Sequence, residues 1–241
     1  MEDSLIRFQN ILKEWKIEIN EYQVKQFLTY YELLIEKNKV MNLTAITEFD
    51  QVIEKHFLDS ILLGRFLNLN QSLKVLDLGT GAGFPGIPLK IVFPELQITL
   101  ADSLNKRVLF LQEVIDILKL EKIEAVHGRA EELAKNAVYR EQYDLCVSRA
   151  VANLSTLSEY CLPFVSISGK FIPYKSGEIQ EEVKGAKKAV DLLGGKVSDV
   201  RKFTFGENEL HRSFVIIDKV KKTPKTYPRK PGTPSKEPIC S

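Results

Sequence analysis

An acidic residue and a run of closely spaced glycines stand together in the segment 74–86, which reads KVLDLGTGAGFPG. Asp77 follows the apolar pair Val75-Leu76, which predicts a buried strand of a parallel sheet. The glycines that follow predict a tight turn, and Pro85 is compatible with the first turn of a helix. Such a turn lets a ligand approach the backbone closely, near the positive end of the helix. The glycines lie at positions 79, 81, 83 and 86.

Two ligand classes fit this turn. The spacing Gly81-x-Gly83-x-x-Gly86 matches the dinucleotide fingerprint, with Asp102 as the acid that would bind a ribose. However, Asp77 stands two residues before Gly79, where a carboxylate repels a pyrophosphate and attracts an ammonium group. S-adenosylmethionine carries an amino group and a sulfonium but no phosphate. Asp77 therefore favours a methyltransferase over a nicotinamide-dependent enzyme, and a glycine turn without a ligand is the third interpretation.

The elements that must position these residues alternate along the chain from residue 73 onward. This alternation predicts βαβ units and a doubly wound, mostly parallel α/β sheet with helices on both faces. The last two strands, joined by residues 206–211, are predicted to form an antiparallel hairpin. Strands are predicted at 73–78, 97–102, 123–127, 143–148, 169–174, 196–205 and 212–219, and helices at 84–93, 104–120, 130–138, 153–162 and 178–193.

The N-terminal segment, residues 4–70, has helical periodicity. Asn20 and Gln23 match a capping box, Thr47 is a candidate cap for a third helix, and residues 38–44 are predicted to form a loop. The predicted apolar face of the second helix comprises Val24, Phe27, Leu28, Tyr31, Leu34 and Ile35. We therefore predict a helical extension packed on the core (1–70), a methyltransferase domain (71–220) and a basic tail (221–241).

Composition narrows the class of protein. The chain has 241 residues and a net charge of +2, yet seven of its basic residues and one acid lie between Lys219 and Ser241. Three widely spaced cysteines and three histidines give neither a disulfide framework nor metal-ligand spacing, so no metal is expected. No signal-peptide pattern and no long apolar run are present. We predict a cytoplasmic protein without a membrane partner, whose last 20 residues lack regular structure of their own.

Residues that follow the predicted strands are candidate ligand contacts, because the carboxyl ends of parallel strands form the binding edge of such a sheet. Asp102 follows the second strand and suits ribose hydroxyls, with a helix N-cap before Leu104 as the alternative. After the third strand, Ala130 and Glu131 are expected to flank an adenine, although Glu131 also suits the first turn of a helix. His127 is more often a packed or surface histidine than a contact.

The fourth strand is followed by Ser148-Arg-Ala-Val151. The Asp/Asn-Pro-Pro-aromatic motif of amine methyltransferases does not occur there, nor does the Pro-Cys nucleophile of cytosine C5 enzymes. Both absences favour a ring nitrogen such as guanine N7, which needs positioning and no general base. Arg149 is expected to orient the cofactor or the target nucleotide, with a buried structural ion pair as the alternative.

These motifs together carry a resemblance to a known family. The chain resembles the glucose-inhibited division protein B family, the bacterial 16S ribosomal RNA guanine-N7 methyltransferases, over nearly its whole length. The glycine motif alone indicates only a methyltransferase, whereas GFPGIP combined with SRAV and YPRKPGTPS is far more specific. The matching stretches are NLTAI at 42–46, HFLDS at 56–60, DLGTGAGFPGIP at 77–88, DSLNKR at 102–107, GRAE at 128–131, SRAV at 148–151 and YPRKPGTPS at 227–235.

The resemblance implies a class I, Rossmann-like S-adenosylmethionine-dependent methyltransferase with an added helical N-terminus. It implies one guanine in the small-subunit RNA as substrate. The implied cofactor contacts are Gly79, Phe84, Asp102, Ala130, Glu131 and Arg149, to which the charge argument adds Asp77 with Gly81 and Gly83.

The RNA itself is expected to meet the basic residues of the tail. Seven cations to one acid between Lys219 and Ser241, with Tyr227 available to stack on a base, suit a polyanion. Lys106 and Arg107 are added as candidates, although solvated charge explains that pair equally well. The predicted RNA contacts are Lys106, Arg107, Tyr227, Arg229, Lys230 and Lys236.

Alternatives from other classes stay open at the sequence level. A nicotinamide-dependent oxidoreductase would keep the glycine turn, but Asp77 argues against it. A non-catalytic RNA-binding or ribosome-assembly factor would keep the basic tail, but the complete cofactor turn argues against it. A methyltransferase of small molecules or proteins would keep the fold and leave the tail unexplained. We expect a monomer.

Overall fold

The computed structural model describes residues 2–149, 152–206 and 209–240. The strands are β1 (Lys74–Leu78), β2 (Gln97–Asp102), β3 (Ile123–His127), β4 (Tyr143–Ser148), β5 (Val165–Ser176), β6 (Gly195–Phe205) and β7 (Leu210–Lys219). The helices are α1 (Glu2–Glu14), α2 (Glu21–Met41), α3 (Phe49–Val52), α4 (Asp59–Ile61), α5 (Gly86–Val92), α6 (Asn105–Leu118), α7 (Ala130–Leu133), α8 (Leu154–Cys161), α9 (Gln180–Leu192) and α10 (Thr233–Lys236). A π-helical turn, Ile53–Leu58, joins α3 to α4, and 3-10 turns occupy Leu62–Arg65 and Leu162–Phe164.

The strands form one seven-stranded sheet in the order β3-β2-β1-β4-β5-β7-β6. Strand pairs β2–β3, β1–β4 and β4–β5 are parallel, whereas β7 runs antiparallel to both β5 and β6. The predicted parallel sheet with a terminal antiparallel hairpin is therefore confirmed. The hairpin connection was predicted at 206–211, of which 207 and 208 lie outside the described residues.

The chain forms two compact units. One comprises Met1–Leu73 with Thr80–His127, and the other comprises Lys74–Gly79 with Gly128–Ser241. The predicted domain boundaries at residues 70 and 220 stay a prediction, because the two units follow packing contacts rather than chain order.

In the first unit, α2 begins at the predicted capping box. The Asn20 side chain accepts the Gln23 N–H at 2.9 Å, and the Gln23 side chain accepts the Asn20 N–H at 2.9 Å. The Gln23 amide also donates to the Ile91 carbonyl of α5 at 2.7 Å, and Gln26 donates to the Leu118 carbonyl at the end of α6 at 2.8 Å. Helix α2 is thus fixed against α5 and α6 by polar contacts as well as by its apolar face.

Several predicted details of the N-terminal helices are wrong. The buried face of α2 passes through Tyr30, which is fully buried, while the predicted Tyr31 is half-buried. Helix α2 continues to Met41, so the loop begins at Asn42 rather than at residue 38. The next helix begins at Phe49 with Glu48 at the cap position and no side-chain cap, so Thr47 does not cap it.

In the second unit, β1 and β4 are buried along most of their length, as near-continuous apolar strands of a parallel sheet must be. Strand β5 begins at Val165, earlier than predicted, and its register with β4 shifts between Tyr143 and Leu145. Helix α7 ends at Leu133 rather than at residue 138. The expectation that the C-terminal residues lack regular structure is also wrong, because α10 forms within them.

Candidate functional site

From Thr80 onward the glycine turn belongs to the first unit, where it is hydrogen-bonded to β2. The Thr80 N–H donates to the Ala101 carbonyl at 3.2 Å, and the Gly81 N–H donates to Asp102 Oδ2 at 3.0 Å. Gly81 and Gly83 have φ angles of +63° and +105°, which an L side chain adopts only with strain. A Cβ atom at Gly81 would have no heavy atom within 4 Å, so the backbone there faces open space.

Asp102 is buried at the carboxyl end of β2, with 3% of its surface exposed. Its Oδ1 accepts the Leu104 N–H at 2.9 Å, and its Oδ2 lies 3.4 Å from the Arg107 guanidinium. Leu104 itself occupies the cap position of α6, without a side-chain cap. Asp102 is therefore not the N-cap residue of α6, but its carboxylate accepts one backbone N–H at the start of this helix and one from the glycine turn.

Phe84 continues the turn into an aromatic cluster. The imidazole of His56 stacks on the Phe84 ring with centroids 4.5 Å apart and planes at 20°. Tyr30 packs against Phe84 at 5.5 Å and donates its hydroxyl hydrogen to the Ala82 carbonyl at 2.6 Å. His56 is buried and its Nε2 lies 2.8 Å from the Thr44 hydroxyl, so it packs in the core behind the turn.

Tyr30 is the residue that sequence reasoning missed here. The apolar stripe of α2 contains two consecutive tyrosines, and periodicity alone placed the neighbour, Tyr31, on the buried face. Tyr30 differs from Tyr31 in its ring contacts with Phe57 and Phe84 and in its hydrogen bond to Ala82. Long-range contacts of this kind leave no local signal in the sequence.

In the second unit, the ends of β1 and β4 lie side by side, with Asp77 on one strand and Ser148 on the other. Strands β1 and β4 are parallel, and Asp77 stands opposite Val147 in their register. The Ser148 hydroxyl donates to the Leu78 carbonyl at 2.8 Å, which ties the ends of the two strands together. Arg149 follows directly at the same edge, whereas Ala150 and Val151 of the motif lie outside the described residues. Asp77 is fully buried, with 0% of its surface exposed.

Ala130 and Glu131 form the first turn of α7. Glu131 is buried, with 4% of its surface exposed, and its Oε1 accepts the backbone N–H of Gly232 at 2.9 Å. This contact joins a predicted cofactor residue to the C-terminal tail across 101 positions of the chain. No sequence signal announces it, because the donor belongs to the backbone.

Most of the predicted RNA-binding residues lie in the tail, but the structure gives them different surroundings. Arg229 forms a bidentate pair with Glu159, at 2.7 Å to Oε2 and 3.0 Å to Oε1, and Glu159 is 1% exposed. The pKa of Arg229 is raised, first by this hydrogen bond. Tyr227 is half-buried and its carbonyl accepts from Arg140 at 3.0 Å. Lys230 and Lys236 are exposed, as is Lys106 on α6.

Two of the three cysteines have buried thiols. Cys146 and Cys161 are both buried and form no disulfide. Burial raises the pKa of the Cys146 thiol well above its usual value, with Cys161 adding to the effect, so the thiolate that reacts or binds metal is disfavoured. Within the described ranges, no three His, Cys, Asp or Glu side chains are grouped to hold a metal ion, and no helix is long and apolar enough to cross a membrane.

Both units contain features that fit S-adenosylmethionine. In the first, the open space at Gly81 lets a ligand lie against the backbone, and the Asp102 Oδ atoms are fixed beside it. In the second, the fully buried Asp77 carboxylate gains from a positively charged group, such as the ammonium of the methionine end. A pyrophosphate is negatively charged and has no ammonium group to pair with Asp77. The residues present therefore fit the sulfonium cofactor better than a dinucleotide.

The sequence matches one family along most of its length. The model of the family described as rRNA small subunit methyltransferase G matches residues 23–211. The protein named ribosomal RNA small subunit methyltransferase G from Lachnoclostridium phytofermentans is 51% identical over 228 residues, which is 95% of this chain and 94% of the relative. The protein of the same name from Staphylococcus aureus is 50% identical over 228 residues, which is 95% of each chain.

Solved structures share the fold at low sequence identity. M. jannaschii TYW2 in complex with AdoMet superimposes with a TM-score of 0.54 at 14% identity, covering 73% of this chain and 80% of that one. A SAM dependent methyltransferase from Aquifex aeolicus gives a TM-score of 0.52 at 18% identity, covering 73% of this chain and 96% of that one. The predicted class I fold is confirmed by these neighbours together with the strand order.

Proposed function

The chain belongs to the rRNA small subunit methyltransferase G family, and from this membership we propose that it transfers the methyl group of S-adenosylmethionine to N7 of one guanine in 16S ribosomal RNA. The observation that carries the proposal is the family match over residues 23–211. The rRNA methyltransferase activity follows from the family, while the choice of guanine N7 is the finer part of the proposal. It agrees with the missing amine-methylation motif after β4.

The cofactor is held by groups that follow the strands. Asp77 and the glycine turn at Gly79, Gly81 and Gly83 receive the methionine end, because a buried carboxylate stabilises an ammonium and the glycines leave room for close approach. Asp102 accepts hydrogen bonds from the ribose. The further contacts are Phe84, Ala130, Glu131 and Arg149.

The chemistry places few demands on the chain beyond positioning. The bound cofactor supplies an electrophilic methyl group on its sulfonium. Guanine N7 has a free lone pair and no proton to lose, so the chain needs no general base and must hold N7 in line with the S–CH₃ bond. Arg149, which directly follows β4, is the residue proposed to orient the target nucleotide or the cofactor carboxylate.

The RNA contacts divide by their surroundings. Lys230, Lys236 and Lys106 are exposed and are proposed to meet phosphates. Tyr227 is proposed to stack on a base. Arg107 and Arg229 already pair with Asp102 and Glu159, so for them the proposal requires that the guanidinium serve RNA and carboxylate together.

A methyl-transfer assay tests the proposal. Purified protein is incubated with labelled S-adenosylmethionine and small subunits from cells that lack this modification, and the nucleosides are then identified by mass spectrometry. We expect label in 7-methylguanosine of 16S RNA. Label in another base would refute the N7 assignment, and no label in RNA from either naked 16S RNA or assembled subunits would refute the RNA substrate.

The alternatives now have little support. Family membership speaks against the nicotinamide-dependent oxidoreductase and against a purely non-catalytic assembly factor. The proposed substrate locates the protein in the cytoplasm with ribosomal RNA as its partner. A monomeric state is part of the proposal.

A further inference from the structure

The C-terminal segment 223–239, here the C-terminal strap, is bonded to a residue of the proposed cofactor site. The Gly232 N–H donates to Glu131 Oε1 at 2.9 Å, and Glu131 is almost completely buried. A buried carboxylate is costly unless strong donors satisfy it, so this hydrogen bond contributes to keeping the Glu131 side chain in place. The strap therefore contacts a residue of the proposed cofactor site, in addition to presenting cationic side chains to RNA.

Arg140 and Glu141 hold the start of the strap by hydrogen bonds. The Arg140 guanidinium donates to the carbonyls of Thr223 at 2.9 Å, Pro224 at 3.2 Å and Tyr227 at 3.0 Å. The Thr223 N–H in turn donates to Glu141 at 2.8 Å. Bonds from a charged donor to several carbonyls are among the strong ones, so the start of the strap is fixed in the second unit.

Helix α8 fastens the rest of the strap. Glu159 accepts both the backbone N–H of Arg229, at 2.8 Å, and its guanidinium. The Thr156 hydroxyl donates to the Pro234 carbonyl at 3.0 Å, and the Ser155 hydroxyl donates to the Ile239 carbonyl. Gly232 lies between these attachments, so its N–H is delivered to Glu131 by contacts that are separate from the cofactor residues.

The position of Ala130–Glu131 depends on such outside support. Helix α7 contains only four residues, and so short a helix is not stable by itself. Its first turn is the part proposed to flank the adenine. A displaced strap would leave Glu131 without its Gly232 donor and would free this turn to move.

We propose that the C-terminal strap is a wall of the cofactor site, in which Gly232 acts through Glu131 to position the turn of α7 for the adenosine end of the cofactor. Glu131 and Gly232 are positioning residues and take no part in methyl transfer. The inference rests on the proposed function, because it takes the adenine contact of Ala130–Glu131 from it. It differs from a tail that serves RNA alone, because it requires the strap for cofactor binding in the absence of RNA.

The test measures S-adenosylhomocysteine binding by calorimetry without RNA. The paired variant Glu159→Gln/Arg229→Gln weakens the fastening of the strap while leaving a neutral, hydrogen-bonding pair in place of the buried charges. We expect the Kd to rise about tenfold, the size of a typical coupling between residues in one network. The matched control is Asp199→Asn/Arg201→Gln, which removes an ion pair from the surface of β6 and is expected to leave the Kd unchanged.

A double-mutant cycle separates positioning from general loss of structure. Glu131→Ala alone should weaken binding, and adding the Glu159→Gln/Arg229→Gln pair to it should cause no further loss, because the link is already broken. Circular dichroism and thermal unfolding identify the temperature at which every variant is folded. An unchanged Kd in the strap variant, or fully additive losses in the cycle, would overturn the inference.

The outcome is distinguishable from failure of the proposed function. If the wild type methylates 16S RNA and the strap variants keep their affinity for S-adenosylhomocysteine, only the proposed role of the strap is refuted. If the strap variants lose affinity for S-adenosylhomocysteine but the wild type labels no RNA, the role of the strap is retained and the RNA substrate is refuted.

Discussion

At the scale of single residues, we expect the charge of Asp77 to favour one cofactor class over another. Its carboxylate is fully buried at the end of β1, next to the end of β4. A negative charge in that position is compatible with an ammonium and unfavourable for a pyrophosphate. The same side chain in its neutral form would lose most of this discrimination.

Asp77→Asn keeps the shape and removes the charge. We expect the Kd for S-adenosylhomocysteine, measured by calorimetry, to rise roughly 10- to 100-fold, the equivalent of one hydrogen bond to a charged group. Asp144→Asn is the matched control, since Asp144 is exposed near the start of β4 and accepts the Lys74 N–H. Equal losses in the two variants would mean that the Asp77 charge does not contact the ligand.

Lys219 gives the protein a pH dependence of stability. It is 1% exposed, its Nζ donates to the Leu162 carbonyl at 2.5 Å, and burial lowers its pKa to about 8. Because the unfolded lysine has a pKa of about 10.4, the unfolded state binds more protons between these values, and stability rises with pH across that window.

The matching experiment compares wild type with Lys219→Met. From about pH 7.5 to about pH 9.5, the free energy of unfolding of the wild type should gain roughly 2 kcal/mol relative to the variant. Urea unfolding at the two pH values measures the difference. A gap between the two proteins that does not change with pH would show that Lys219 stays protonated in the folded chain throughout.

At the scale of elements, the glycine turn has two positions with opposite surroundings. Gly81 faces open space, whereas a Cβ at Gly83 would lie 2.4 Å from Ile87 Cδ1 and 2.8 Å from the Tyr30 hydroxyl. Both glycines have positive φ. Backbone strain is therefore common to both positions, and steric crowding is confined to Gly83.

Gly81→Ala should cost about 1 kcal/mol of stability from strain alone, and Gly83→Ala about 3 kcal/mol from strain plus overpacking. Affinity for S-adenosylhomocysteine should nevertheless fall in Gly81→Ala, because its methyl group enters the space proposed for the ligand. Chemical unfolding and calorimetry measure the two quantities separately. A fully stable Gly81→Ala variant with wild-type affinity would exclude the ligand from that space.

The N-terminal helices illustrate what local patterns specify. The capping box at Asn20 and Gln23 fixed the start of α2 because all of its donors and acceptors are local. The choice between Tyr30 and Tyr31 depended on Ala82, 52 residues away in the glycine turn. Periodicity defines a stripe wide enough to hold either tyrosine, so only the tertiary contact decides.

At the scale of the whole molecule, the cations of the tail have two kinds of surroundings. The guanidinium of Arg229 is engaged by Glu159, while the ammonium groups of Lys230 and Lys236 lie on the surface. The structure thus separates the paired guanidinium of Arg229 from the exposed ammonium groups that are proposed to meet RNA. Binding of these cations to RNA phosphates releases counterions, so the affinity of the protein for RNA depends on the salt concentration.

Lys230→Gln/Lys236→Gln should weaken binding to small subunits and reduce the slope of log K against log salt by about one per lysine. Filter binding over a salt series measures the slope. The control is Lys187→Gln/Lys188→Gln on α9, which removes the same charge from exposed positions outside the tail. A slope change of equal size in the control would show that only overall charge matters.

Local patterns were enough to predict the class of fold, the bounds of β2, β3 and β4, and the class of cofactor. These follow from short-range apolar runs, from glycine spacing and from one acidic residue at a strand end, which are properties of neighbours along the chain. The resemblance added the substrate.

Tertiary contacts, by contrast, determined which of the predicted site residues have partners inside the protein. They placed Arg229 on Glu159, Gly232 on Glu131, and Arg107 on Asp102. A cation in a basic tail looks the same in sequence whether it meets RNA or a buried carboxylate, because the partner lies 70 residues away for Arg229. Likewise, the backbone N–H of Gly232 has no side chain to mark it, so its contact with the proposed cofactor site becomes visible only once the chain has folded.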